Sequence, residues 1–190
     1  MATLPGTRSA LVIVDVQVGV IASAWDRERI LGNVALAVRR ARDAEVPILW
    51  VQHDDEELAR DTPDWQWVPE LVPGPGEPRI HKSHNSSFEQ TGLSAELQRL
   101  GVSRILLAGA ATNWCIRATA YAALERGYDL TLLSDAHMTR DIELEGGHVV
   151  AARSMIDDLN LAMRWLSYPG RRNEAVPVAE ASFGSACGAA

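Results

Sequence analysis

Three residues of complementary chemistry lie at the ends of segments that are predicted to be buried strands. Asp15 closes the first predicted strand, Lys82 closes the third, and Cys115 follows the fourth, where a helix begins. The carboxyl ends of the strands in a parallel sheet meet at one edge, and this is where such folds place their ligands. The sequence therefore predicts that the three side chains lie close together at that edge.

This combination suits nucleophilic catalysis by a cysteine. A thiol near a helix N-terminus and an ammonium group is expected to have a lowered pKa, so that a thiolate is available at neutral pH. An aspartate accepts the thiol proton and later returns it to a leaving group. Taken singly, each residue has an ordinary structural explanation, namely a loop contact, a solvated charge and a small core side chain. The joint placement favours a catalytic site.

Lys82 is set apart by composition, because the other 17 basic residues are all arginine. Arginine presents a broad planar group that stays protonated, whereas lysine carries a compact ammonium with an adjustable pKa. We interpret Lys82 as a position that requires a small cation. Replacing it by arginine or methionine is expected to leave folding intact and to lower the rate strongly.

The elements that position these residues alternate along the chain. Apolar, β-branched runs predict strands, and apolar positions at helical spacing predict helices between them. The segment from residue 53 to 78 is rich in proline and predicts a long loop or lid. This alternation indicates an α/β fold, a three-layer α/β/α sandwich with a mostly parallel, doubly wound central sheet. The predicted strands are 9–16, 47–52, 79–82, 104–108, 129–134 and an edge strand at 175–181, and the predicted helices are 26–45, 93–100, 113–126 and one from 144 or 148 to 165.

Composition limits the function classes. The 190 residues, 47% hydrophobic and 23% charged, suit a single domain over 1–190, with a flexible tail expected from about residue 182. A net charge of −7 without a basic stripe disfavours nucleic acid and anionic membranes as partners. We expect a cytoplasmic protein, because no signal peptide or membrane span is recognisable.

Cys115 and Cys187 do not form the pattern of a disulfide framework, so Cys187 is interpreted as an incidental thiol. No glycine-rich phosphate-binding motif follows any predicted strand.

Three motifs, in this order and spacing, resemble the isochorismatase-like cysteine hydrolases. The resemblance runs from the first strand to about residue 170. The motifs are Leu11-Val-Ile-Val-Asp15-Val-Gln17, Lys82-Ser-His-Asn-Ser-Ser-Phe88-Glu-Gln-Thr91 and Gly109-Ala-Ala-Thr112-Asn-Trp-Cys115-Ile-Arg-Ala-Thr119.

The resemblance implies a mechanism. It assigns Asp15, Lys82 and Cys115 as a catalytic triad, with a cis peptide bond between Ala110 and Ala111. The backbone amides of Ala111 and Cys115 are implied to form an oxyanion hole. Cys115 would attack the carbonyl carbon of an amide, Asp15 would carry the proton to the leaving nitrogen, and water would hydrolyse the resulting thioester. No cofactor is implied.

The sequence departs from two branches of the family. Nicotinamidases hold a metal with an Asp-x-His pair and further histidines after the second strand. Here His53 is followed by Asp54 and Asp55, and the next histidine is His81. We therefore predict no metal site, which makes a nicotinamidase less favoured. Isochorismatases proper cleave a vinyl ether, and some relatives with that chemistry lack the cysteine, so Cys115 favours cleavage of a C–N bond. Both activities remain alternatives, as does a non-catalytic binding protein on the same fold.

Several residues that flank the triad or lie in the long loop are candidate substrate contacts. Trp65 and Trp67 are expected in either the pocket or an interface. Arg117 is expected either to bind a substrate carboxylate or to form an ion pair. His137 and Arg140 lie near the same edge with no assigned role, and His148 is expected on a helix surface. The candidate contacts are Gln17, Trp25, His53, His84, Phe88, Asn113 and Trp114.

The resemblance leaves the substrate open among simple amides, ureido acids, carbamoyl compounds and lactam antibiotics of the streptothricin type. Specificity is expected to depend on the loop at 53–78 and on neighbouring subunits, since relatives are commonly oligomers. We expect a homo-oligomer, either a dimer or a tetramer.

Overall fold

A six-stranded parallel sheet forms the centre of the molecule. The structure is a computed structural model that describes residue 4 and residues 6–184. The strand order is β3-β2-β1-β4-β5-β8, and every neighbouring pair is parallel. This confirms the predicted α/β fold with its parallel sheet. The sheet strands are β1 (Arg8–Val14), β2 (Ile48–His53), β3 (Arg79–Lys82), β4 (Val102–Ala110), β5 (Asp129–Met138) and β8 (Asn173–Val176).

Helices cover both faces of the sheet. Along β1, Leu11 and Ile13 face the side of the sheet on which α2 packs, and Val12 and Val14 face the side of α3 and α4. Successive strand residues point to opposite faces, so a strand buried on both sides is apolar on both, as β1 is from Ala10 onward. The helices are α1 (Val18–Ile21), α2 (Arg27–Asp43), α3 (Leu93–Arg99), α4 (Arg117–Glu125) and α5 (Ala152–Trp165).

Three predicted boundaries are wrong. A small hairpin of β6 (Ile142–Glu143) and β7 (Val149–Val150) precedes α5, whose predicted start was 144 or 148. Gly146 and Gly147 turn this hairpin with φ of 88° and 80°, values that favour glycine. The edge strand ends at Val176 because Pro177 begins a turn, in which its carbonyl accepts from the amides of residues 180 and 181.

The third correction concerns the segment after β4. A π-helical turn, Thr112–Ile116, precedes α4, so the predicted helix 113–126 is regular only from Arg117. In this turn the amide of Ile116 donates to the carbonyl of Ala111, five residues earlier. Such turns recur at functional sites, and this one contains Cys115.

The start of the expected flexible tail is packed against the domain. Phe183 is 5% exposed, and the guanidinium of Arg40 lies 4.8 Å from its ring centre. The Ser9 hydroxyl donates to the carbonyl of Gly184 over 2.8 Å. Cys187 lies outside the described residues. Among the described residues, no helix combines the length and apolar character needed to cross a membrane.

Candidate active site

The structure brings Asp15, Lys82 and Cys115 together at the carboxyl edge of the sheet. Lys82 Nζ lies 2.7 Å from Asp15 Oδ2 and 3.2 Å from Cys115 Sγ. The three come from the ends of β1 and β3 and from the π-helical turn after β4. A buried ammonium therefore bridges a carboxylate and a thiol.

Close contact between β1 and β4 sets the position of Asp15. A Cβ atom on Gly109 would come within 2.0 Å of the Val14 carbonyl oxygen, and Gly109 has a φ of 124°. Only glycine permits this approach. Asp15 follows Val14 with a φ of 52°, in the left-handed region, which is uncommon for residues other than glycine but accessible to aspartate. The peptide bond from Ala110 to Ala111 is cis, as the resemblance implied.

Lys82 has more acceptors around it than protons to donate. Besides Asp15 and Cys115, its Nζ lies 3.1 Å from His53 Nδ1 and 3.2 Å from the carbonyl oxygen of His84. Burial works to lower the pKa of Lys82, but the Asp15 carboxylate and Cys115 outweigh it and the pKa is raised. The ammonium therefore persists, and a planar guanidinium cannot place its nitrogens among these four groups.

His53 links this ammonium to the lid. Because Lys82 donates to Nδ1, the ring proton lies on Nε2, which donates to Asp55 Oδ2 over 2.9 Å. Both ring nitrogens are thus engaged, and Asp54 accepts from Arg60 over 3.0 Å. These residues do not fit the metal site of nicotinamidases. In the part of the chain that the structure describes, no group of three or more His, Cys, Asp and Glu side chains is placed to hold a metal ion.

The expected low pKa of Cys115 is wrong. Burial first, and the Asp15 carboxylate second, raise the pKa of this thiol to about 12, against the opposing effect of Lys82. The cause is that a second buried anion beside Asp15 is poorly solvated. The resting site therefore holds a thiol, and the thiolate forms only as its proton moves.

Asp15 is placed to take that proton. Burial raises the pKa of its carboxyl, although Lys82 acts in the opposite direction. The thiol of Cys115 interacts with this carboxyl, yet Oδ1 has no hydrogen-bond partner of ordinary geometry in the described structure. A carboxylate with a raised pKa and a free oxygen is a suitable general base.

A cavity of about 390 Å³ opens onto Asp15 and Cys115, and Lys82 lies behind them, outside its wall. The lid covers it by pairing with the segment after β1, where the amides of Val18 and Gly19 donate to the carbonyls of Gln66 and Asp64 over 2.9 and 2.8 Å. Of the lid residues in the wall, only His53 was predicted from the sequence. The proline-rich composition indicated a lid but not which of its side chains enter the wall. The cavity is lined by Asp15, Gly19, Val20, His53, Asp55, Glu57, Leu58, Asp64, Asn85, Ala111, Trp114 and Cys115.

Of the seven candidate substrate contacts, His53 and Trp114 line this cavity. Gln17 is fully buried, and its amide bonds the backbone of His53 and the carbonyl of Trp65, so it braces the lid. Phe88 packs in the core, with its ring 5.8 Å from that of Tyr128. Gln17 therefore positions the lid, and Phe88 belongs to the hydrophobic core.

The remaining candidates also lie outside the cavity wall. Trp25 lines a separate cavity of about 380 Å³ beside α2. Asn113 accepts a hydrogen bond from the Thr139 hydroxyl over 2.7 Å. His84 contributes its carbonyl to Lys82. Sequence proximity to the triad was their only signal, and it does not specify side-chain direction.

Neither tryptophan of the lid lines the catalytic cavity. Trp67 packs edge-on against Trp50 at 5.3 Å in the core, and Trp65 stacks on His81 at 5.8 Å, so neither lines the cavity. Arg117 forms the ion pair, with Asp158 at 2.6 Å. Arg140 is exposed. His148 is also exposed, but the expectation of a helix surface is wrong, because it lies in the hairpin between β6 and β7.

His137 is buried below the π-helical turn. Its Nδ1 accepts from the Thr112 hydroxyl over 2.9 Å, and its Nε2 donates to Asn160 Oδ1 over 3.1 Å. Burial lowers the pKa of His137 to about 4. His137 is therefore a neutral ring, and in this state it accepts the hydrogen bond from Thr112.

We expect His137 to make the fold sensitive to acid. The unfolded chain binds this proton below about pH 6.5 and the folded chain only near pH 4. The free energy of unfolding therefore falls as the pH decreases between these values, by on the order of 3 kcal/mol. Urea unfolding at pH 7 and pH 4 measures this. The loss should shrink in His137→Gln and persist in the exposed control His148→Gln; an unchanged loss in His137→Gln would contradict it.

The family model for the isochorismatase domain matches residues 9–160. The chain belongs to the isochorismatase family. A crystal structure of an isochorismatase from Pseudomonas putida KT2440 superposes on it with a TM-score of 0.82 and 25% sequence identity, covering 94% of both chains.

Relatives in this family include a streptothricin hydrolase and a nicotinamidase. A streptothricin hydrolase from Streptomyces noursei is 35% identical over 139 residues, which are 70% of this chain and 50% of the relative. Nicotinamidase 3 from Arabidopsis thaliana is 27% identical over 154 residues, which are 72% of this chain and 76% of the relative. The chain thus spans about half the length of the streptothricin hydrolase that it matches.

Proposed function

We propose that this family member is a metal-independent cysteine hydrolase that cleaves a C–N bond of a small amide, ureide, carbamoyl compound or lactam. The observation that carries the proposal is the single ammonium of Lys82 within 2.7 Å of Asp15 and 3.2 Å of Cys115, beside a cavity that a small molecule can enter. The similarity to a streptothricin hydrolase supports it.

The first half-reaction forms a thioester. Asp15 takes the proton of the Cys115 thiol as the sulfur attacks the carbonyl carbon. The growing negative charge on sulfur is stabilised by Lys82, whose protons turn toward it. This coupling of proton transfer to attack suits a thiol with a pKa of about 12, because no free thiolate is required.

The carbonyl oxygen becomes negative in the tetrahedral intermediate. The backbone amides of Ala111 and Cys115 are assigned as its donors, supported by the presence of both residues in the cavity wall. When the C–N bond breaks, the nitrogen leaves with the proton that Asp15 received.

The second half-reaction regenerates the thiol. Water adds to the thioester carbonyl while Asp15 takes one of its protons. The C–S bond then breaks, the carboxylic acid is released, and Asp15 returns the proton to Cys115. Lys82 remains protonated throughout, because its raised pKa lies far above neutral pH.

Release of ammonia or amine from a panel of primary amides, ureido acids, carbamoyl compounds and lactams, streptothricin included, tests this proposal. We expect one class to be hydrolysed, with the activity unchanged by EDTA. Cys115→Ala serves as the blank.

Other outcomes would identify the alternatives. Activity lost with EDTA and restored by a divalent metal would favour a nicotinamidase-type hydrolase. Cleavage of isochorismate alone would favour the vinyl-ether reaction. An inactive protein whose Cys115 reacts with iodoacetamide no faster than a free thiol would favour a binding protein. The homo-oligomer stays a prediction that light scattering checks.

A further inference from the structure

The lid contributes acidic residues to the wall of the catalytic cavity. Asp55, Glu57 and Asp64 line it together with the apolar Val20 and Leu58. Arg60 is the one basic residue between positions 54 and 78, and its guanidinium is committed to Asp54, which is outside the cavity wall. Within the wall, the lid therefore supplies negative charge alone.

Two of these carboxylates have no partner among the residues that the structure describes. Asp55 is engaged, because it accepts from the His53 ring and from the amides of Glu57 and Leu58. The side chains of Glu57 and Asp64, by contrast, form no ion pair or hydrogen bond with any residue that the structure describes. Two uncompensated charges therefore face a small cavity.

The same cavity contains a buried acceptor without a hydrogen-bond donor of ordinary geometry. Asp15 is 1% exposed and lines the cavity, yet its Oδ1 has no hydrogen-bond partner among the described residues. A buried carboxylate oxygen is costly to leave without any donor. Asp15 is already paired with Lys82 and is the acceptor assigned to the Cys115 proton, so it does not require a donor from the ligand. A buried acceptor in the wall nevertheless favours a ligand that carries hydrogen-bond donors.

We propose that this cavity selects substrates that carry a protonated amine or guanidinium beside the amide, with Glu57 and Asp64 as the residues that recognise the cation. The inference rests on the proposed function, since it names the substrate class of that site. Trp114, 46% exposed in the same wall, adds an aromatic face on which a cation packs favourably. Anionic amides are disfavoured, because the carboxylates repel them.

Modification of Cys115 by methanethiosulfonates tests this without a known substrate. The thiol forms a mixed disulfide and releases methanesulfinate, so the rate reports how well each reagent enters the cavity. The reagents are the aminoethyl (cationic), methyl (neutral) and sulfonatoethyl (anionic) compounds, used on the Cys187→Ser protein. Each rate is divided by that of the neutral thiol N-acetylcysteine amide.

We expect the cationic reagent to react about tenfold faster than the anionic one at low salt. The preference should fall by about threefold or more in Glu57→Gln/Asp64→Asn. The matched control Glu56→Gln/Asp61→Asn removes the same charge from lid residues outside the wall and should retain the preference. Circular dichroism confirms that each variant is folded.

Equal normalised rates would overturn the inference, as would a preference that survives Glu57→Gln/Asp64→Asn or falls equally in the control. The proposed function fails separately, if the amide panel is not hydrolysed. Amide hydrolysis without charge preference would leave the function standing and remove the inference. Charge preference without hydrolysis would show a cation-selective cavity and overturn the amide substrate.

Discussion

Replacing Cys115 by alanine is expected to lower kcat/KM for amide hydrolysis by about 10⁴-fold or more. Alanine leaves Asp15 and Lys82 in place but removes the atom that forms the covalent bond, so no thioester can form. The fold should be unaffected, since Cys115 lies at the cavity wall. Steady-state rates with the substrate identified by the panel measure the effect.

Two further variants give this test its controls. Cys187→Ala removes the other thiol and should keep the wild-type rate. Cys115→Ser keeps a nucleophile at the position, but an alcohol is a weaker one that is harder to ionise, so we expect it to fall close to the alanine variant. A Cys115→Ala protein within tenfold of wild type would remove the residue from the mechanism.

Replacing Lys82 by methionine is expected to lower kcat by roughly 10²–10³-fold. Methionine fills a similar volume, but it cannot stabilise negative charge on sulfur. It also leaves the Asp15 carboxylate buried without its partner, 2.7 Å from where the ammonium stood. Asp15 then takes up a proton and no longer acts as a base at neutral pH.

The same variant has a second, separable effect on stability. Loss of the buried ion pair leaves Asp15 either to take up a proton or to stay buried as an unpaired charge, and this costs about 3–5 kcal/mol of unfolding free energy, measured by urea denaturation. Lys82→Met/Asp15→Asn removes both charges, so it should recover most of that stability while remaining inactive. Lys82→Arg should not restore the rate, because a guanidinium does not fit among four acceptors of one nitrogen. Wild-type turnover in Lys82→Met would exclude Lys82 from the mechanism.

Much of the fold was predictable because it depends on local patterns. The β-branched run of β1 and the apolar residues at helical spacing in α2 are both buried, and both patterns are visible in the sequence itself. The meeting of Asp15, Lys82 and Cys115 follows in turn, since parallel strands place their carboxyl ends at one edge. The triad was therefore predictable from the position of its three residues at the ends of predicted parallel strands.

The missed elements depend on interactions that periodicity does not report. The π-helical turn requires the Ile116 amide to bond five residues back, and its apolar pattern resembles that of an ordinary helix start. The thiol pKa depends on burial and on the distance to Asp15, so a rule based on Lys82 and the helix dipole gave the wrong direction.

The cavity wall was missed for a related reason. Glu57 and Asp64 enter it because the lid pairs with residues 17–19, and no local signal specifies that pairing. Phe88 shows the converse, because it lies close to Lys82 in sequence yet turns into the core beside Tyr128.

The central claim is that hydrolysis passes through a thioester on Cys115, and product partitioning in hydroxylamine tests it most directly. Two amides that share an acyl group but differ in the leaving amine are hydrolysed by the wild-type enzyme, and the hydroxamate and acid products are quantified. A common thioester predicts that hydroxamate appears in the same ratio to acid for both amides. A ratio that changes with the leaving amine, or acid as the sole product, would contradict the covalent intermediate.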